Sequence, residues 1–269
     1  PFIPHRQKDG YGFNARSYQS LKQDFDLVIT VDNGIVAQKE IKKIKADFII
    51  VDHHLPDKTK PKTIAIIHST QVCAGALSWF LAKKIDPNAD LALATLATVA
   101  DCLPLLDINR SIVSHGLKTF ATTKNFGLQK LIAVSNLKPD SISSGGIGFT
   151  LAPRINAIGR LSDPMDALRL LCATTPAVAD KYARLSQSLN SDRQQLQTGS
   201  YQLAKTAFDP KNKLIFVSDP SFHPGIIGLI AGRLTQEYFL PSIAVSIEDG
   251  LAKGSCRSIP QLNIIQTLR

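Results

Sequence analysis

Residues 26–56 read DLVITVDNGIVAQKEIKKIKADFIIVDHHLP. Two apolar, β-branched runs at 26–31 and 47–51 flank a segment at 36–45 that has Ile41 and Ile44 on one side and lysines on the other. Continuous apolar runs are typical of strands buried in a parallel sheet, and an amphipathic segment between them is typical of a helix. This stretch therefore predicts a β-α-β unit.

The same alternation continues along the chain. We predict a strand at 63–67, helices at 74–84 and 88–99, and a loop at 137–148. Tyr182, Leu189, Leu196 and Leu203 recur every seven residues and predict one long helix over 176–207. After it we predict a strand at 214–217, a helix at 226–238 and a strand at 243–247. We therefore expect an α/β fold, in which a parallel-sheet domain at 1–175 is joined by a connecting helix at 176–210 to a smaller, incomplete α/β domain at 211–269.

Composition narrows the class of protein. The 269 residues are 44% hydrophobic and 20% charged, which is typical of a globular protein with a core and argues against disorder. No apolar run approaches the roughly 20 residues of a membrane span, and no signal peptide is visible. The four scattered cysteines contain no C-x-x-C pair and argue against a disulfide framework, so we expect reduced thiols in a cytoplasmic protein. A net charge of +9 favours an anionic partner, nucleic acid first.

Acidic residues and histidines follow the two early strands. Asp32 ends the first strand, and Asp52, His53 and His54 end the second. Because ligands bind outside the carboxyl ends of parallel strands, we expect these side chains to face one crevice. Asp101 closes an apolar helix, where a lone carboxylate is costly to bury unless it is paired or binds a metal. This donor set predicts a site for Mn²⁺, Fe²⁺ or Zn²⁺.

Each of these residues also has an ordinary structural interpretation. Asp32 could cap the following helix, the histidines could lie on the surface or in the core, and Asp101 could be a solvated helix end. All three features together favour the metal site.

The segment 51–54 resembles the signature of the DHH phosphoesterase superfamily, and 31–35 and 98–105 resemble its neighbouring acidic motifs. Further segments are similar to the RecJ family of single-stranded-DNA-specific exonucleases: 4–6 with 10–12, 152–157 with 159–161, 223–228 with 233–234, and 254–258. These segments stand in the order of the family and span nearly the whole chain.

The resemblance implies a metal-dependent exonuclease that hydrolyses single-stranded DNA from 5′ to 3′, releasing mononucleotides in DNA repair and recombination. It implies Mn²⁺ as the ion, with Mg²⁺ as a substitute, in a two-ion site of the complete enzyme. Asp32 would bridge the ions, His53 and Asp101 would bind one of them, and His54 would contact the scissile phosphate. Asp52 would orient a histidine ligand.

The resemblance also implies a set of residues that bind the DNA strand. Arginine gives bidentate phosphate contacts, a tyrosine beside glycines can stack on a base, and a glycine-containing turn into a helix offers backbone N–H groups. The expected residues are Arg6, Tyr11, Arg154, Asn156, Arg160, His223 and Arg257. Alternatives are a salt bridge from Arg160 to Asp163, loop packing for Tyr11 and a plain helix start at His223. A single-strand-binding protein or a helicase is the candidate protein partner, and no membrane is expected.

Two motifs of the family are not in the sequence. An Asp-x-Asp strand is expected upstream of Pro1 and a Gly-Gly-His element beyond Arg269, so we expect an internal part of a longer enzyme with little activity by itself. Two other functions stay open: a phosphodiesterase for short oligonucleotides or cyclic dinucleotides (or a pyrophosphatase), and a non-catalytic nucleic-acid-binding scaffold. The long helix and the arginine motifs favour a polymeric substrate over pyrophosphate.

Overall fold

The chain forms two compact units in a computed structural model that describes residues 1–4, 9–10, 12–209 and 211–268. The first unit comprises residues 1–159 and 163–187, and the second comprises 160–162 and 188–269. The predicted long helix is confirmed at Pro176–Thr206, and its residues up to 187 belong to the first unit. The domain bounds at 175 and 210 stay a prediction.

A three-stranded parallel sheet occupies the start of the first unit. Helix α1 (Ala15–Gln19) precedes β1 (Leu27–Val31), α2 (Gln38–Ile41), β2 (Asp47–Asp52) and β3 (Ala65–His68). The strand order is β1-β2-β3, with Val31 opposite Val51 and Asp52 opposite His68. The predicted parallel sheet is confirmed. Helix α2 is shorter than the predicted 36–45: it begins at Gln38, where no side chain caps its N-terminus, and it ends at Ile41.

Helices make up the rest of this unit. They are α3 (Ala74–Ile85), α4 (Leu91–Ala100), α5 (Asp107–Phe120), α6 (Phe126–Val134), α7 (Ser144–Gly146), α8 (Ala152–Leu161) and α9 (Met165–Leu171), followed by the first part of α10 (Pro176–Thr206). One apolar cluster packs β2 against α3, α4 and α5, and a larger one centres on Leu96, Phe120, Leu131 and Leu151.

The predicted loop at 137–148 is partly wrong. The chain becomes helical at Ser144 and continues through a π-helical turn, Ile147–Leu151, directly into α8. The side chain of Ser143 accepts a hydrogen bond from the N–H of Gly146 at 3.1 Å, which starts the helix despite two glycines. Ile147 and Leu151 are fully buried, so packing outweighs the low helix propensity of the segment.

The second unit holds a small mixed sheet. The last part of α10 is followed by β4 (Ile215–Asp219), α11 (Ile227–Tyr238), β5 (Ser242–Glu248), β6 (Leu251–Arg257) and α12 (Ile264–Thr267). Strands β4 and β5 are parallel, and β6 is antiparallel to β5. The sequence does not predict β6, because LAKGSCR has no apolar run. Its pairing with β5 is what makes it a strand.

Two further features bear on the class of protein. Cys73, Cys102, Cys172 and Cys256 are all free thiols. Across the described residues, the helices are all too short or too polar to pass through a bilayer.

Candidate metal centre

The first unit brings acidic residues and histidines together at the carboxyl edge of its sheet. Asp32 follows β1 directly and has a left-handed backbone, with φ of 62°, while its N–H donates to Val51 at 2.9 Å. Gly34 also has positive φ (109°), and a Cβ there would lie 2.6 Å from Thr30 Oγ1. The tight turn at 32–34 therefore requires glycine at its end and turns the Asp32 carboxylate towards the next strand.

Asp52 is the buried residue of the centre, with a side chain that is only 1% exposed. Its carboxylate accepts hydrogen bonds from the N–H groups of Ile35 (2.9 Å), His53 (2.8 Å) and His54 (3.2 Å). Burial opposes ionisation, but these donors and the His54 ring outweigh it and hold the pKa of Asp52 below its ordinary value. Asp52 is thus an anion that fixes the backbone of the histidine pair.

The His53 ring lies between two carboxylates. Its Nε2 is 3.2 Å from Asp32 Oδ1, and its Nδ1 is 3.4 Å from Asp101 Oδ2. Asp101 is the C-terminal cap of α4, so the third predicted acid reaches the same place from a different element. The two contacts place a carboxylate at each nitrogen of the ring, and a divalent cation at this edge would balance the concentrated negative charge.

The His54 ring is oriented by Asp52. Nδ1 of His54 lies 2.7 Å from Asp52 Oδ1, and because an ionised carboxylate only accepts, Nδ1 carries the proton. This hydrogen bond raises the pKa of His54. More than half of the ring is exposed, which leaves Nε2 available to a ligand. Asp52 is predicted to orient a histidine, and the ring that it contacts is that of His54. Its contact with His53 is a hydrogen bond from the backbone N–H of that residue.

His68 is a residue of this edge that the sequence analysis missed. It is the last residue of β3, and its Nε2 donates to the carbonyl oxygen of His54 at 2.8 Å. Its position at the end of the third parallel strand was the signal that could have found it.

The donor set suits a transition metal. Asp32, His53 and His54 each offer one ligand atom within 4.8 Å of one another, and Asp101 contacts the same imidazole. Carboxylate oxygens with imidazole nitrogens fit Mn²⁺, and the half-exposed Asp32 and Asp101 leave the site open to solvent.

Arg154 is the predicted DNA-binding residue of the first unit that is most firmly held. Its Nε donates to Gln187 Oε1 at 2.7 Å and its Nη1 to the carbonyl oxygen of Thr150 at 2.6 Å. Partial burial lowers the pKa of Arg154, and no carboxylate forms a salt bridge with it among the described residues. Asn156 is exposed on the same helix, α8.

Three predicted DNA-binding residues lie around the start of α11 in the second unit. Nη1 of Arg160 donates to the carbonyl oxygen of Gly225 at 3.0 Å, and the N–H of Gly225 donates to His223 Nδ1 at 3.0 Å. Burial lowers the pKa of His223. The Arg257 guanidinium packs on α11, where a Cβ added to Gly228 would lie 3.4 Å from its Nη2.

The remaining predictions on DNA binding concern Arg6 and Tyr11, which lie outside the described residues.

Asp163 is the alternative partner that the sequence offers for Arg160. Its carboxylate accepts a hydrogen bond from Arg169 at 3.4 Å.

Comparison with known proteins identifies the family. Residues 1–104 match the model of the DHH family, N-terminal domain. The chain is 34% identical to the single-stranded-DNA-specific exonuclease RecJ of Bacillus subtilis, over 99% of this chain and 37% of that protein. A crystal structure of exonuclease RecJ bound to manganese superposes with a TM-score of 0.85 at 31% identity, covering all of this chain and 72% of that one. RecJ of Thermus thermophilus in complex with Mg²⁺ gives 0.71 at 29% identity, over 91% of this chain and 38% of that one.

These similarities cover only part of the length of each curated relative. The chain spans between 37% and 53% of the length of the curated relatives it matches. The parallel sheet, the long helix and the small mixed sheet are those of a RecJ-like fold. The chain therefore belongs to the RecJ family of DHH proteins.

Proposed function

We propose that the protein to which this chain belongs is a metal-dependent exonuclease that hydrolyses the phosphodiester bonds of single-stranded DNA. The observation that carries the proposal is the convergence of Asp32, His53 and Asp101, from three different elements, at the sheet edge. Digestion from 5′ to 3′ with release of mononucleotides, a role in repair and recombination and a cytoplasmic location are parts of the same proposal. A single-strand-binding protein or a helicase is its proposed protein partner.

Asp32, His53 and Asp101 are the proposed metal ligands, with Asp32 bridging two ions in the complete site. Asp32 contacts Nε2 of His53 at 3.2 Å and Asp101 contacts Nδ1 at 3.4 Å, so binding of all three to one cation requires the imidazole or the Asp101 carboxylate to reorient. Mn²⁺ is the proposed ion and Mg²⁺ its substitute. When bound, such ions supply the Lewis acidity that activates water and neutralises charge on a phosphoryl transition state.

His54 and Asp52 are the proposed pair that acts on the scissile phosphate. Asp52 fixes the proton of His54 on Nδ1 and favours the protonated ring, in which Nε2 also carries a proton. An Nε2–H group donates to a non-bridging phosphate oxygen and gains strength as negative charge develops there. Asp52 acts through His54 and is a positioning residue.

Phosphate binding along the strand is proposed for Arg154, Asn156, Arg160, His223 and Arg257, together with Arg6, and base stacking for Tyr11. The argument is strongest for Arg154. Its guanidinium is held by two neutral oxygen atoms, and partial burial without a counter-charge leaves it a preformed site for an anion.

Digestion of end-labelled oligonucleotides by the full-length gene product tests the proposal. We expect Mn²⁺-dependent release of mononucleotides from a 5′-labelled single strand, with duplex DNA, dinucleotides and cyclic dinucleotides as poor substrates. Asp32→Asn, His53→Ala and Asp101→Asn should each abolish release, whereas Asp140→Asn, a change at an exposed aspartate of a distant helical turn, should not. Preferential cleavage of a dinucleotide would replace the exonuclease by a short-oligonucleotide phosphodiesterase. Single-strand binding without cleavage would favour a scaffold.

A further inference from the structure

Phe149 is the most exposed large apolar side chain among the described residues, at 88%. It lies in the π-helical turn Ile147–Leu151, midway between Ile147 and Leu151, which are both fully buried. The two buried residues anchor the turn in the core, and Phe149 projects from its opposite side. The fold thus keeps a phenyl ring in water and gains no burial from it.

The π-helical turn interrupts the regular α-helical hydrogen bonding of this segment. The N–H of Ala152 donates to the carbonyl oxygen of Ile147, five residues earlier, and the chain continues as ordinary α-helix on both sides. Single π-helical turns inside α-helices occur frequently at functional sites, because the extra residue changes where side chains point.

The Arg154 guanidinium contacts the backbone next to Phe149. The Arg154 side chain reaches back along the helix, and its Nη1 donates to the carbonyl oxygen of Thr150, the next residue after Phe149. This guanidinium has no carboxylate partner within the described part of the chain. The exposed ring of Phe149 is therefore followed directly in the chain by the carbonyl group that the Arg154 cation contacts.

The same turn packs on the helix that ends at the metal centre. A Cβ added to Gly148 would lie 3.5 Å from Val99 Cγ1, and Val99 is two residues before Asp101, the cap of α4. Phe149 is thereby fixed, through backbone packing within one unit, relative to a residue of the proposed metal site.

We propose that Phe149 stacks on a base of the bound single strand while Arg154 holds a neighbouring phosphate, an inference that rests on the proposed function. Aromatic stacking combined with a cationic groove is the usual way in which proteins bind single strands without reading their sequence. The other exposed positions between 141 and 156 are Ser141, Ser143, Gly145 and Asn156. This stretch offers one ring in polar surroundings, which suits a base better than an apolar protein surface.

A comparison of normal and abasic oligonucleotides tests the proposal. Affinities of the full-length gene product are measured by fluorescence anisotropy for oligothymidylate and for an abasic strand of equal length, with Ca²⁺ replacing Mn²⁺ to suppress cleavage. One stacked base contributes about 5-fold to 100-fold in affinity. We expect Phe149→Ala to weaken oligothymidylate binding by that factor and to leave abasic binding within twofold.

Three further variants sharpen the result. Phe149→Trp should keep the preference for oligothymidylate, and Phe149→Leu, which is apolar but has no ring, should lose it. Phe239→Ala is the matched control, because Phe239 is 78% exposed and follows the C-terminal end of α11, whereas the proposed phosphate-binding residues of the second unit lie around the start of that helix. It should change neither affinity.

Two results would overturn the inference alone: unchanged oligothymidylate binding in Phe149→Ala, or equal weakening for both strands, while the unaltered protein still binds and digests single-stranded DNA. If the unaltered protein binds no single strand, the inference and the proposed function both fail. The two cases are therefore distinguishable.

Discussion

The buried carboxylate of Asp52 accepts a 2.7 Å hydrogen bond from Nδ1 of the exposed His54 ring. The same carboxylate also accepts three backbone N–H groups, so one buried anion organises the turn after β2 and sets the proton position of the neighbouring imidazole. The Asp52–His54 pair therefore has a structural role and a role in the proposed chemistry.

Asp52→Asn should destabilise the protein by about 1–3 kcal/mol at pH 7, because an amide leaves buried N–H donors without an acceptor. The pKa of Asp52 is lowered by folding, so its contribution is present above the ordinary carboxyl pKa of about 3.9 and is lost as the pH falls through the lower folded value. Urea unfolding at pH 7 and near pH 3 should show the gap between wild type and variant shrinking in acid. A gap independent of pH would assign the effect to packing.

The pKa of His54 should fall in Asp52→Asn, since the hydrogen bond to Asp52 is the main cause of its elevation. The raised pKa stabilises the fold below the ordinary histidine value of about 6.5, and this contribution is lost as the pH rises through the folded pKa. A titration of the imidazole signals by NMR in metal-free buffer measures both values. Equal pKa values in wild type and variant would contradict the orienting role of Asp52.

Mn²⁺ should raise the melting temperature of the wild-type protein, because a ligand that binds only the folded state stabilises it by about 2.7 kcal/mol at 100 times its Kd. Asp32→Asn, His53→Ala and Asp101→Asn should each remove most of this increase. Without metal, Asp32→Asn should be at least as stable as wild type, since burial disfavours the charged carboxylate and raises the pKa of Asp32, and repulsion from Asp101 adds to this effect. Thermal melts in EDTA and in Mn²⁺ measure both effects, and a full Mn²⁺ response in any variant would remove that residue from the site.

Arg154→Ala and Arg257→Ala should each weaken single-strand binding roughly tenfold to a hundredfold, as expected for charge-assisted phosphate bonds of about 1.5–3 kcal/mol. Each should also lower the slope of affinity against salt by about 0.7, and neither should alter sequence preference or Mn²⁺ binding. Affinities across a salt series in Ca²⁺ provide the measurement. Arg184→Ala is the control, because Arg184 is exposed and already paired with Asp180 at 2.7 Å. Unchanged affinity and slope would make both arginines structural.

Hydrophobic periodicity predicted the parts of the fold that depend on local pattern. The strands before Asp32 and at Asp52 and the helix closing at Asp101 could be predicted because each is an apolar run whose end is visible in the sequence. The burial expected for β1 is found on one face only, since Leu27, Ile29 and Val31 are exposed. The parallel arrangement then brings the acids to one edge.

Features that depend on long-range contacts could not be predicted in this way. Strand β6 exists because of its pairing with β5, and the helical start at Ser144 depends on a side-chain cap and on two buried residues. Which imidazole Asp52 holds is decided by the path of the turn after β2, and the place of His68 beside it is decided by strand register. Neither leaves a periodic trace in the sequence.

The left-handed backbone at Asp32 restricts which residues this position accepts. Among residues other than glycine, aspartate and asparagine adopt that conformation most readily, and alanine would be strained there by about 1–2 kcal/mol. The turn and the proposed metal site therefore favour the same residue, so few substitutions are expected at this position. In relatives that keep the fold but lack the proposed metal site, we therefore expect asparagine or glycine at this position.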